Sequence, residues 1–240
     1  MKKLFTLLFI GIFTIGCSSD SSSDAGGNVL PETSSAKAEY NNSNFGIYKG
    51  VFTGSSGVMT VNVMNNGSLS ATLKLDGITH NFTTSETVTQ GQNTEALTFT
   101  SGEMSFDLDI SANGGNVDVT TLSFPGHDDA ALTLTKEYSY QVIKCYEGTH
   151  SGTSSGILNV IIDDDYVSGL SYTPDDNPDD DDVAYLNGSI NGTAISGTFG
   201  EGQDGGTFTG TVSGNTISGT WQSNDDSNPA SGTWTCQRTL

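Results

Sequence analysis

The sequence predicts an all-β protein made of two duplicated antiparallel meander barrels, with about eight strands each. Short runs of Val, Ile, Phe and Thr alternate with turns rich in Gly, Asn and Asp, and no long segment carries apolar residues at helical spacing. In addition, residues 48–54 recur in similar form as residues 146–152, and each copy leads into Ser-Ser-Gly and an apolar run. This self-similarity indicates the duplication of one folding unit.

The first 16 residues have the form of a bacterial export signal, in which Lys2 and Lys3 precede an apolar run. The run has about a dozen residues, whereas a membrane span takes about 20. Its end, Thr-Ile-Gly-Cys, resembles the lipobox of bacterial lipoproteins, with Thr14 where Leu is usual. The resemblance implies that Cys17 is lipidated and holds the protein on a membrane. The alternative is an ordinary signal peptide with a chance cysteine.

Residues 17–44 are rich in Ser, Asp, Gly and Asn, and this composition predicts a disordered tether. The Ser/Asp run directly after Cys17 resembles the surface-export signals of Bacteroidota lipoproteins. That resemblance implies a lipid-anchored outer-membrane protein exposed at the cell surface, with the periplasmic face as the alternative.

Two lobes are expected after the tether, lobe 1 at 45–137 and lobe 2 at 145–240. The linker between them, 138–144, contains Tyr, Val and Ile, so we expect the lobes to pack together. The candidate strands of lobe 1 are 45–54, 57–64, 68–75, 78–84, 94–100, 103–111, 116–123 and 130–136. Those of lobe 2 are 145–152, 156–163, 166–173, 183–190, 193–199, 206–212, 215–221 and 230–236. Closing each meander into a barrel would remove its two exposed edges.

Strand alternation assigns the two faces of lobe 2. Ile217, Gly219 and Trp221 share one face, and the residues between them are Ser and Thr. Small residues beside large ones fill a narrow barrel, so Gly and the large apolar residues are predicted to point inward. Gly-Thr-Trp at 219–221 and 232–234 resembles the avidin- and lipocalin-like barrels and the tandem barrels of surface lipoproteins. The resemblance implies the fold type and no particular ligand.

The candidate pocket residues of lobe 2 are inward-facing. His150 aligns with Phe52 of lobe 1 and introduces a polar group into the barrel. We therefore take His150, with Tyr146, Trp221 and Trp234, as the candidates. The alternative for His150 is a buried, hydrogen-bonded core residue.

Cys145 begins the first strand of lobe 2 and Cys236 ends its last. Because these strands are neighbours in a closed barrel, we expect a disulfide across the seam, which an exported location permits. Strict alternation disagrees, since it puts Cys236 inside with Trp234 and Cys145 outside with Glu147. A β-bulge would be needed to reconcile them, and two free thiols are the alternative.

The chain is strongly acidic, with a formal charge of −20, and this disfavours nucleic-acid binding. The sharpest acidic run lies at 175–182. Carboxylate and amide oxygens suit Ca²⁺, so calcium is the candidate cofactor, but the spacing is not that of an EF-hand. The alternative is a solvated acidic loop. The expected ligands are Asp175, Asn177, Asp179 and Asp181.

The sequence favours a non-enzymatic function, because it has no nucleophile elbow, no phosphate-binding glycine loop followed by a helix, and no zinc spacing. We expect an outer-membrane-anchored binding module that uses its barrel loops or calyx to bind a protein, a glycan or a small molecule. One alternative is a structural or adhesive cell-envelope protein with calcium-stiffened loops. Another is a hydrolase or lyase that uses carboxylates and His150.

Overall fold

The computed structural model describes residues 30–127, 129–174, 183–202 and 205–240. Within these ranges the protein is all-β, as predicted, with sixteen antiparallel strands and one short 3-10 turn at Ala38–Tyr40. No helix in this part of the chain is long and apolar enough to span a membrane. The observed strand bounds differ from the predicted ones by at most two residues.

The strands of lobe 1 are β1 Gly46–Thr53, β2 Gly57–Val63, β3 Leu69–Leu75, β4 Ile78–Thr83, β5 Thr94–Ser101, β6 Met104–Ile110, β7 Val117–Ser123 and β8 Ala131–Glu137. The strands of lobe 2 are β9 Lys144–Gly152, β10 Gly156–Asp163, β11 Tyr166–Tyr172, β12 Val183–Asn191, β13 Ala194–Phe199, β14 Gly206–Ser213, β15 Thr216–Ser223 and β16 Ser231–Arg238. In both lobes the first strand pairs with the last.

Lobe 2 is a closed eight-stranded barrel in which β9 pairs with both β10 and β16. Its interior follows the predicted pattern of glycine beside aromatic rings. A Cβ atom added to Gly210 would lie 2.4 Å from a ring carbon of Trp234, and one added to Gly206 would lie 2.4 Å from the ring of Phe199. Glycine is therefore required at these positions because the rings already occupy the space.

Lobe 1 is nearly closed, which corrects the expectation of a second complete barrel. Its sheet runs from β7 through β6, β5, β4, β3, β2 and β1 to β8, and no ladder joins β7 to β8. Next to this seam, Phe124 is buried, with its ring centroid 5.1 Å from that of Phe52 and 5.9 Å from that of Phe82. Aromatic packing thus lies beside the seam that no ladder closes.

The two lobes pack side by side through the outer face of β1. Both faces of β1 are buried, because Tyr48 and Phe52 point into lobe 1 while Val51 packs against Ile161 and Leu170 of lobe 2. Polar contacts accompany this apolar patch: Asn159 of lobe 2 donates to the Phe52 carbonyl at 2.6 Å. Thr135 of lobe 1 donates to Asp163 of lobe 2 at 3.3 Å.

These contacts align equivalent ends of the lobes. Asn159 contacts Phe52 near the end of β1. Asp163, at the end of β10, contacts Thr135, which pairs with Lys49 nearer the start of β1. The start of β1 therefore lies beside the end of β10. We call the side where β1 and β9 begin the near end, and the opposite side the far end. In lobe 2 the connections at the near end are two-residue turns, at 164–165, 192–193 and 214–215. The far end carries the longer connections at 153–155, 173–182, 200–205 and 224–230.

Residues 30–44 pack along the near ends of both lobes, which corrects the part of the predicted tether that the structure describes. We call this segment the strap. Several of its polar groups bind specific partners on the lobes. Ser34 Oγ and the Ser35 N–H both donate to Glu137 Oε1, at 3.0 and 3.1 Å. Farther along, Asn44 is fully buried and its side chain donates to the Thr89 carbonyl at 3.0 Å.

Candidate functional site

The near end of each barrel is closed by a buried cation that the strap caps. In lobe 2, the guanidinium of Arg238 donates to Glu32 at 2.5 Å and to the Pro31 carbonyl. In lobe 1, Lys136 Nζ donates to the carbonyls of Ser43 and Phe45. Burial lowers the pKa of Lys136 to about 8. Both cations are thus satisfied by oxygens of the strap or of the backbone next to it.

The middle of lobe 2 is packed. Tyr146 and Trp234, two of the four candidate pocket residues, lie in the hydrophobic core. Trp234 donates its indole N–H to the carbonyls of Thr209 and Thr220, both at 3.2 Å. These side chains fill the barrel and anchor it, so the structure places them below any site at the far end.

The far end of lobe 2 is topped by a layer of three rings, His150, Phe199 and Trp221. The ring centroids of His150 and Trp221 are 6.0 Å apart, those of Phe199 and Trp221 are 6.1 Å apart, and both pairs are edge-to-face. The indole N–H of Trp221 donates to the Ser151 carbonyl at 3.2 Å, which fixes its ring. Phe199 and Trp221 are half-buried, so their outer surfaces face the far-end connections.

His150 is a hydrogen-bonded histidine that is 8% exposed. Its Nε2 lies 3.1 Å from Thr173 Oγ1, and a Cβ added to Gly156 would come within 2.7 Å of the same nitrogen. Burial lowers the pKa of His150, opposed by a hydrogen bond with the backbone of Tyr172. The imidazole is therefore held neutral near physiological pH and presents a polar atom beside two aromatic rings.

The equivalent end of lobe 1 takes its polar group from a different element. Phe52 replaces His150 there and packs on Phe124 and His127, with centroids 5.1 and 5.6 Å away. The imidazole therefore comes from the first strand in lobe 2 and from the connection after β7 in lobe 1. Sequence reasoning did not select Phe199 as a site residue. Its alternation with Ile195 and Gly197 placed it on the inward face, and its position at the end of a strand is what could have identified it as a site residue.

Cys145 and Cys236 are both free and buried, so the expected disulfide is absent. The register explains why: Cys236 pairs with Gly148, three residues along β9 from Cys145. Three residues span about 10 Å and reverse the face of the strand. No bulge interrupts this ladder, so Cys236 points into the barrel and Cys145 into the contact between lobes, as strict alternation indicates. Burial raises the pKa of each thiol to about 12.

The predicted calcium ligands Asp175, Asn177, Asp179 and Asp181 lie outside the described residues, as does the predicted lipidation site, Cys17. Within the described residues, no group of three or more His, Cys, Asp or Glu side chains is placed to hold a metal ion.

A separate polar cavity of about 220 Å³ lies on lobe 1, where β5, β6 and β7 meet. Glu95, Asp109 and Asp118 contribute carboxylates to its lining. A β-bulge in β5 shapes it: Ala96 has a φ of +50° and donates its N–H to Asp109 at 2.6 Å. Glu95 and Asp118 are exposed and Asp109 is half-buried, and the lining has no aromatic ring, in contrast to the far end of lobe 2.

A comparison of the chain with models of protein families finds no match, and a search among curated proteins finds none either. The fold itself defines the class as a two-lobed antiparallel β protein with one closed and one nearly closed barrel.

Proposed function

We propose that the protein is an outer-membrane lipoprotein that acts as a non-catalytic binding module and holds its ligand at the far end of lobe 2. The observation that carries this proposal is the position of the strap. Its first described residues, around Glu32, cap Arg238 at the near end of lobe 2. Twelve residues separate Cys17 from Leu30, a segment that reaches at most about 45 Å. An anchor at Cys17 would therefore attach on the near-end side of lobe 2 and leave the far end clear of the point of attachment.

The ligand class that the far end fits best is a neutral glycan. A sugar ring has an apolar face that packs on an aromatic ring and hydroxyl groups that need hydrogen-bond partners. Phe199 and Trp221 supply the rings, while Thr173 and the Ser, Asp and Asn residues at 224–228 would supply the partners. The net charge of −20 disfavours anionic polysaccharides. Because the barrel below is packed, the ligand would rest on the ring layer and not in a deep calyx.

The described contacts of His150 favour binding over catalysis. Its ring faces Thr173 and Trp221, and no carboxylate is among its partners in the described part of the chain. A general base is normally oriented by a third group such as a carboxylate. His150, buried and hydrogen-bonded to Thr173, is thus better suited to hold the ring layer and the Thr173 hydroxyl in place.

Titration of neutral oligosaccharides, chosen from an immobilised glycan panel, tests the binding proposal. Replacing Trp221 with Ala should weaken binding by about 2 kcal/mol, since aromatic anchors carry interface energy, or roughly 30-fold in Kd. The matched control is Ile78→Ala, which removes a large side chain that is 64% exposed on lobe 1. Failure of every neutral glycan to bind, or equal binding by the Trp221 variant, would refute the proposal.

The anchor is tested separately in cells by metabolic labelling with palmitate. The wild-type chain should incorporate label and fractionate with the outer membrane, and Cys17→Ser should do neither. Protease treatment of intact cells then distinguishes surface exposure from the periplasmic face. Labelling of the Cys17→Ser chain would disprove lipidation at this residue.

A further inference from the structure

We propose that a tyrosine patch at the near end, formed by Tyr138, Tyr140 and Tyr166, rests on the headgroup region of a neutral phospholipid surface. This inference rests on the proposed lipid anchor and adds an orientation to it. The patch would make the protein stand on the membrane on a defined face instead of moving freely on its tether.

The patch is exposed and preorganised. The rings of Tyr138 and Tyr140 are stacked, with centroids 5.5 Å apart and planes 17° apart. Tyr140 is 75% exposed and Tyr166 is 44% exposed. Two stacked rings on the surface of a folded body lose little conformational entropy when they bind, so they are suited to contact a partner.

Asp163 connects the linker that carries the stacked pair to Tyr166. The side-chain amide of Gln141 donates to Asp163, which ties the linker containing Tyr138 and Tyr140 to the end of β10. Asp163 is also the cross-strand partner of Tyr166, the first residue of β11. The patch thus lies at the near end, where the first described residues of the chain also lie.

The strap holds the linker in place. Asn41 and Ser139 form a reciprocal pair, in which the Asn41 side chain donates to Ser139 Oγ and accepts from the Ser139 N–H, both at 3.0 Å. Tyr138 and Gln141 form an isolated antiparallel bridge. The exposure of Tyr140 is therefore a property of a fixed turn between the lobes.

A lipid surface is the occupant that this position favours. Tyrosine has an apolar ring and a polar hydroxyl, and it is enriched where hydrocarbon meets water. The twelve residues between Cys17 and Leu30 enter the folded body on this same side, so an anchored chain keeps the patch within about 45 Å of the bilayer. Asp164 and Asp165 adjoin Tyr166 and repel anionic headgroups, so the surface should be neutral overall.

Fluorescence quenching by lipid measures the contact directly. The mature chain from Cys17 is coupled through that thiol to a maleimide lipid in phosphatidylcholine vesicles; Cys145 and Cys236 are buried and do not compete. Tyr140→Trp places a reporter in the patch. The matched control is Tyr185→Trp, at a position that is 64% exposed near the far-end start of β12. The native tryptophans contribute equally to both variants.

We expect brominated acyl chains to reduce the emission of the Tyr140→Trp chain and to leave that of the Tyr185→Trp chain unchanged. Adding anionic phosphatidylglycerol at low salt should reduce this quenching of the Tyr140→Trp emission. Equal quenching of the two variants, or none in either, would overturn the proposal. Amide hydrogen exchange of residues 138–143 in the unsubstituted chain provides a second measurement, and vesicles should slow it. Because the coupling is chemical, these outcomes do not depend on whether cells lipidate Cys17.

Discussion

The carboxylate of Glu137 joins the strap to lobe 1 and to the linker between the lobes, and its removal is the sharpest test of the architecture. Glu137 forms an ion pair with Lys49, whose side chain is 5% exposed while that of Glu137 is 0% exposed. It also accepts from Ser34 Oγ and the Ser35 N–H of the strap, and from the Ile143 N–H at 3.1 Å. Four donors thus converge on one buried carboxylate.

The expected change in the free energy of unfolding depends on which buried groups each substitution leaves without a partner. Glu137→Met leaves the Lys49 ammonium buried without its anion, and breaking a buried pair in this way costs about 3–5 kcal/mol. Adding Lys49→Met removes the stranded charge. The remaining loss should then be about 1–3 kcal/mol, the penalty for a buried donor such as the Ile143 N–H without an acceptor. The double variant should therefore be more stable than the Glu137→Met chain.

Urea unfolding of residues 18–240, followed by circular dichroism, measures these free energies of unfolding. The control is Glu39→Met, because the Lys37–Glu39 pair is 3.7 Å apart and both side chains are more than half exposed. That change should be within about 0.5 kcal/mol of the wild type. If Lys49→Met destabilised the Glu137→Met chain further, the buried pair would not be the interaction that Glu137 supplies, and the reasoning would fail.

Three further predictions concern lobe 2. Because burial lowers the pKa of His150 below its usual 6.5, the unfolded chain binds a proton that the folded chain does not, so stability should fall as pH drops below 6.5. Urea unfolding at pH 7.5 and 5 should show a smaller fall for His150→Phe. Gly210→Ala should destabilise by about 1–3 kcal/mol, because its Cβ would lie 2.4 Å from the Trp234 ring. Cys145 and Cys236 should react with a thiol reagent only after unfolding, since both are buried and their pKa values are raised to about 12.

Each of these has a result that would contradict it. An identical pH profile for the wild type and the His150→Phe chain would mean that the imidazole is not desolvated. Gly115→Ala is the control for the glycine prediction, since its nearest neighbour is 3.4 Å away, and equal losses at both glycines would exclude ring packing as the cause. Rapid thiol reaction in the folded protein, or faster migration of the chain on a non-reducing gel, would contradict the buried free cysteines.

Strand periodicity explains why most of the fold could be predicted from the sequence. Alternation in β15 put Ile217, Gly219 and Trp221 on the inner face, and the structure places all three there. Alternation also placed Cys145 and Cys236 on opposite faces. The disulfide prediction was wrong because it relied on both cysteines lying at the seam and neglected that their side chains point to opposite faces of the sheet. No β-bulge turns one of them to the other face.

The strap could not be predicted because its stabilising partners are distant in sequence. Ser34 binds Glu137, 103 residues away, and Glu32 binds Arg238, 206 residues away. The composition of this segment predicts disorder, because a polar segment has too little apolar surface to bury. Here the segment gains buried charge partners instead, which local composition does not show.

The cap on Arg238 brings together the two ends of the folded body. Pro31 and Glu32 contact Arg238, and Leu240 accepts a hydrogen bond from the same guanidinium at 3.2 Å. The two ends of the described chain therefore lie close together, so the strand pairings do not depend on which connection is left open. A circular permutant that links residue 240 to residue 30 and opens in the near-end turn at 192–193 would retain every strand pairing described above.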